Sequence, residues 1–188
     1  MPKYLAAATM ALLVGMVLAR ALLMKRKGVA VMNFGKIDRT DFLILPFAFF
    51  YFYLVFAGAF DLPGVGGQTM FSSAAISWAG VFFCAAGLCL MGWSLISFGS
   101  SFRIGIDLDG ADELVTTGAF GFSRNPIYAA FGLVLAGQFL VSASWVLLVY
   151  LGGGIWLFHR QVLREEAFLK GHYGEEYGAY CRRVRRYF

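Results

Sequence analysis

Two short stretches of this chain hold side chains whose types and spacing suit chemistry. The first reads Arg124-Asn125-Pro126-Ile127-Tyr128. Proline fits the first helical position, where its missing N–H would have no partner anyway, so a helix is expected to start at Pro126. The N-terminus of such a helix offers free backbone amides and the positive end of a dipole, which together attract an anion. Arg124 beside it adds a forked donor for a carboxylate or phosphate. The plain alternative is an arginine that only snorkels to a membrane interface. The second stretch contains Glu165 and Glu166, adjacent carboxylates suited to an ammonium group or an arginine. Glu166 and Lys170 have the i, i+4 spacing of a surface ion pair, while Glu165 has no such obvious local partner. A solvated acidic face is the alternative for both.

The elements that must position these residues are apolar. The 188 residues are 60% hydrophobic and only 14% charged, with a net charge of +5. Soluble domains carry about a quarter charged residues, so the main solvent of this chain is lipid. Residues 4–24 form a first apolar run of the length that crosses a hydrocarbon layer of about 30 Å. Ala19-Arg20-Ala21 loosely resembles a signal-peptide cleavage site. The positive block Lys25-Arg26-Lys27 follows the run instead of preceding it, which favours a retained helix. Further runs span 42–60, with Pro46 tolerable inside a membrane helix, and 74–98, where Gly80, Gly87 and Gly92 allow close helix contact. The block 126–158 is interrupted at Ser142-Ala143-Ser144, which leaves two halves of about 15 residues, short for full crossings. They read as a helical hairpin, tilted or partly inserted, and 159–188 as an amphipathic, charged helical tail. The fold class is therefore an all-α integral membrane protein with about five transmembrane helices, the last two a short hairpin. Residues 1–98 hold three helices with connectors. Residues 99–188 hold a polar connector, the hairpin and the tail.

Charge sets the orientation. Segments 25–41, 99–125 and the tail carry nearly all Lys and Arg, while 61–73 carries none. Five passes put those three segments on one side, which the positive-inside rule makes cytoplasmic, with the N-terminus outside. A cytoplasmic membrane of the bacterial or archaeal kind is the expected location. The basic tail, including Arg182, Arg183, Arg185 and Arg186, is read as topology-setting charge beside anionic lipid. No recognition element for nucleic acid accompanies it.

Other chemistries find little support. Cys84, Cys89 and Cys181 make neither a zinc spacing nor a disulfide framework and are taken as small apolar residues. His172 has no second ligand spaced for a metal. Gly152-Gly153-Gly154 lies in apolar sequence and fits helix contact better than a phosphate loop. Tyr173, Tyr177, Tyr180, Val184 and Tyr187 recur at helical spacing as one packing or interfacial stripe. No nucleophile–base pair stands out, so no residue is assigned to catalysis.

Arg124-Asn125-Pro126-Ile127-Tyr128, Glu165-Glu166-Ala167-Phe168-Leu169, Gly174-Glu175-Glu176-Tyr177-Gly178-Ala179-Tyr180 and Arg183-Val184 follow in that order through the C-terminal half. This ordered set resembles the isoprenylcysteine carboxyl methyltransferase and phospholipid methyltransferase superfamily of membrane enzymes. The resemblance implies methyl transfer from S-adenosylmethionine to a lipophilic or lipid-linked acceptor at the cytoplasmic face, an isoprenylcysteine-like carboxylate preferred. It implies a cofactor site made from Arg124, Asn125, Pro126, Tyr128, Glu165 and Glu166, without metal. Asn125 stands where the isoprenylcysteine enzymes have His, so an imidazole base is not available there. Two alternatives stay open: an NADPH-dependent relative of the sterol reductases, for which the chain is short, and a non-catalytic membrane protein whose tail binds anionic lipid or a partner.

Overall fold

A computed structural model describes residues 1–26, 44–62, 69–98 and 114–188. Among these the secondary structure is helical: α1 (Pro2–Arg26), α2 (Ile44–Phe60), α3 (Ala74–Phe98), α4 (Ala119–Phe122), α5 (Pro126–Val141), α6 (Trp145–Tyr173) and α7 (Glu175–Arg183). By length and composition α1, α3 and α6 are able to cross a membrane, and α2 and α5 are shorter apolar helices. Much of the connectors 25–41 and 99–125, and part of 61–73, lies outside the described residues.

Among the described residues the closest packing joins α3 to α5, and glycine makes it possible. A β-carbon on Gly80 would stand 2.6 Å from the Gly137 carbonyl oxygen, and one on Gly137 would stand 2.6 Å from that of Gly80. At Gly87 it would meet the Ala130 carbonyl at 2.8 Å. Without side chains at these points the backbones touch, and dispersion replaces the hydrophobic drive that lipid does not supply. Gly92 faces Met16 of α1 instead. Of the triple glycine only Gly154 is crowded, by Leu135, while Gly152 has open space around it.

The helices alternate in direction. Ala6 of α1 clusters with Cys84 of α3 and Val141 of α5, and Gln138 donates from its side chain to the Ala6 carbonyl at 2.7 Å. Met16 lies beside Gly92, so α1 and α3 run parallel. Tyr4 meets Phe60 ring to ring, which brings the end of α2 to the start of α1. Thr69 bridges to Ser144, and Met70 N–H donates to Ala143 O at 2.9 Å. One end of the bundle therefore gathers the start of α1, the end of α2 and the 142–144 turn. The other end gathers Arg26, Phe98, α4, the start of α5 and the charged half of α6.

The interruption at Ser142-Ala143-Ser144 is a helix break, with Ser144 capping α6 by accepting from Leu147 N–H at 3.3 Å. The tail from residue 159 begins as a continuation of the hairpin's second helix. α6 continues through residue 159 to Tyr173 because nothing between its apolar and charged halves interrupts backbone hydrogen bonding. The break falls at Gly174, whose φ of 52° is left-handed. The aromatic stripe is thus divided between two helices and an extended end. Tyr177 and Tyr180 are buried on α7, but they do not share a helix with Tyr173.

Candidate functional site

Pro126 occupies the first turn of α5 as expected, and Asn125 is its N-cap residue. The Asn125 side chain does not cap the helix amides. It turns away to donate to Glu166 Oε1 at 3.0 Å and to the Arg186 carbonyl at 3.2 Å. The approach to this turn is built by α4. Ala119 N–H donates to Ser97 Oγ at 3.0 Å, which ties α4 to the end of α3. Phe120 packs edge-on against Phe98. Tyr180 donates its hydroxyl to the Phe120 carbonyl at 2.7 Å.

Glu166 stands at the centre. It is 9% exposed. Its Oε1 accepts from Arg124 Nε at 3.2 Å and Nη2 at 3.1 Å, besides Asn125. Its Oε2 accepts from Arg186 Nε at 3.0 Å and pairs with Nη2 at 2.8 Å. The surface pair with Lys170 expected from spacing is thereby corrected: two arginines outcompete one flexible lysine that would hold the carboxylate only in water. Arg124 is held on all sides as well, its Nη1 donating to the carbonyls of Cys181 at 3.2 Å and Val184 at 2.9 Å. Reading Arg124 as a mere interface snorkel does not describe this guanidinium.

Glu165 is not without partners either. Tyr128 donates to its Oε1 at 2.5 Å, and Gln161, one turn back on α6, donates to the same oxygen at 3.2 Å. The six residues singled out in the sequence, Arg124, Asn125, Pro126, Tyr128, Glu165 and Glu166, therefore meet where the start of α5 faces the charged half of α6. Around them the field is positive at Arg124 and Arg186. The carboxylate raises the Arg186 pKa above its ordinary value through their hydrogen bond. Burial pushes Tyr180 up to about 12, against the nearby positive charge of Arg124, and raises Tyr177 too. Both phenols stay neutral at physiological pH.

Sequence reasoning passed over Arg186, Ser123 and Gln161. The signal for Arg186 was present: a buried carboxylate needs compensating charge, and the C-terminal segment carries Arg182, Arg183, Arg185 and Arg186. No cluster of His, Cys, Asp or Glu able to hold a metal occurs among the described residues.

Residues 75–176, more than half of the chain, match the phospholipid methyltransferase family. The chain belongs to this family. The match runs from α3 through the start of α7 and so includes both halves of the cluster, Arg124 to Tyr128 and Glu165-Glu166. Membership agrees with the apolar helices in making the chain an integral membrane protein of the methyltransferase type. No curated protein and no solved structure gives a match.

Proposed function

We propose that this protein transfers a methyl group from S-adenosylmethionine to a lipophilic or lipid-linked acceptor at the cytoplasmic face of a membrane that it crosses five times. The observation that carries this reading is the meeting of Arg124-Asn125-Pro126 and Tyr128 with Glu165-Glu166 in a member of the phospholipid methyltransferase family. The donor set suits the cofactor. Its amino-acid end needs a site for a carboxylate and one for an ammonium, and the first amides of α5 and the carboxylate of Glu165 offer them. The positive field of Arg124 adds to the first, although its own donors are largely taken. The ring of Tyr128 stands beside Phe158 and offers an apolar wall for an adenine. Bound there, the cofactor supplies an electrophilic methyl group on sulfur.

The residues of the chain would bind, orient and dry the reactants, which accounts for large rate factors without a base. A carboxylate acceptor is ionised at neutral pH and asks for no proton removal. The cluster has no histidine: His159 bonds instead to Tyr187 at the exposed surface. Both facts favour an isoprenylcysteine-like carboxylate. The family description favours a second reading, a phospholipid amine, whose ammonium must lose a proton before it attacks.

Calorimetric titration of the purified protein with S-adenosylmethionine and, separately, NADPH tests the cofactor. Saturable binding of the first alone is expected. Glu165→Gln should weaken it roughly tenfold or more, the loss of a charge-assisted hydrogen bond. Heat with NADPH alone would favour a reductase, and heat with neither a non-catalytic protein. Methyl transfer to a prenylated cysteine or to a phosphatidylethanolamine vesicle then separates the acceptors.

A further inference from the structure

The last residues of the chain take a large share of the bonds that hold the candidate site together. After α7 the backbone becomes extended at Val184, with φ −121° and ψ 133°, and runs back across the turn between α4 and α5. The Arg185 carbonyl accepts from Arg124 N–H at 2.9 Å. The Arg186 carbonyl accepts from the Ser123 hydroxyl at 3.3 Å and from the Asn125 amide at 3.2 Å. Tyr187 bonds to His159 at 2.8 Å, and Phe188 meets Phe122 with ring centres 6.2 Å apart. Each residue from 184 to 188 thus touches α4, the 123–125 turn or α6.

Arg186 is the member with charge to spend. It takes both of its contacts on Glu166 Oε2, while Arg124 and Asn125 share Oε1. Glu166 has five donors on two oxygens, which is near the capacity of a carboxylate. A cofactor ammonium could reach it only by displacing one of them. Glu165 accepts from Tyr128 and Gln161 on its Oε1.

We propose that residues 184–188 are a strap that positions the cofactor site, with Arg186 acting through Glu166 on Arg124-Asn125-Pro126. This rests on the S-adenosylmethionine reading given above. Arg186 and Glu166 are positioning residues, while the cofactor's ammonium stays with Glu165 as in the proposed function. Release of Arg186 leaves Oε2 without a partner and frees the strap carbonyls that fix the backbone at 123–125. The first turn of α5 then loses its aim, and small errors of position in a binding site cost large factors.

The test compares wild type, Arg186→Gln, Arg186→Lys and a packing control, Leu13→Ala, a buried change in α1 away from the site. Each is titrated with S-adenosylmethionine, its melting temperature is measured, and amide exchange is followed at 119–128. Arg186→Gln is expected to raise Kd about tenfold or more and to speed exchange at 119–128. Arg186→Lys, a point charge without the fork, should fall between it and wild type. Leu13→Ala should lower the melting temperature with Kd unchanged. Wild-type affinity and exchange in Arg186→Gln would overturn the strap and leave the cofactor reading standing. So would an affinity loss in Leu13→Ala that matches that of Arg186→Gln at equal loss of melting temperature. A wild-type protein that binds no S-adenosylmethionine overturns both readings.

Discussion

Tyr180 shows how single residues at the site serve the fold and the chemistry together. Its hydroxyl is buried and donates to the Phe120 carbonyl, while its ring lies near Tyr177 and the Arg124 guanidinium is close enough to oppose part of the burial effect. A phenol whose folded-state pKa is about 12, against an ordinary 10.0, favours the folded state while it is protonated. That contribution is complete below pH 10 and is lost as pH rises toward 12. The α4–α7 contact is therefore expected to hold to about pH 10 and to loosen above it. Amide exchange at 119–122, compared between pH 8 and pH 11 in wild type and Tyr180→Phe, checks this. The variant should lack the hydroxyl's protection at both pH values and show a smaller change between them. At this scale the sequence indicated which residue types mattered but not their partners. Spacing paired Glu166 with Lys170, because only neighbours on the same helix are visible in a sequence. Arg186 lies 20 residues away, beyond a left-handed glycine that turns the chain back.

At the scale of elements, the α3–α5 contact decides where the start of α5 can stand relative to α4. Gly80 and Gly137 approach with their carbonyls where β-carbons would be. Gly80→Leu is expected to push α5 off α3, destabilise the protein by about 1–3 kcal/mol and weaken cofactor binding at the far end of the same helix. Thermal unfolding in detergent together with titration measures both effects; a well-packed, fully active Gly80→Leu protein would argue that α5 is not set by this contact. Hydropathy and glycine content marked Gly80 and Gly87 as points of close helix approach but did not say that α5 would be the partner. The continuity of α6 was not readable in advance, since its change from apolar to charged sequence marks where lipid ends, and a helix need not stop there.

For the whole molecule, charge and helix direction agree. Among the described residues, Lys3 and Asp61 lie at one end of the bundle, and Lys25, Arg26, Arg124 and the charged parts of α6 and α7 lie at the other. In the proposed function that second end is the cytoplasmic one, by the positive-inside rule. Single cysteines at Lys3 and Arg183, in a background with Cys84, Cys89 and Cys181 replaced by Ala, provide the measurement. In right-side-out vesicles an impermeant maleimide should label the Lys3 position and spare the Arg183 position until the membrane is opened. The reverse pattern would turn the protein over and move the site to the other face.

The sequence by itself determined the apolar helices, the break at Ser142-Ala143-Ser144 and the helix start at Pro126, and it singled out the six residues proposed for the site. These follow from local rules: hydrophobic length, proline geometry and residue type. Tertiary structure alone decided that Arg124-Asn125-Pro126-Ile127-Tyr128 and Glu165-Glu166 face each other, that Glu166 is shared by two arginines, and that the chain end lies across the site. The physical reason is that a buried carboxylate chooses its partners by three-dimensional proximity and desolvation. The two stretches that open the reading are joined by a third, the basic C-terminus, whose charges looked like topology signals until the fold brought one of them inward.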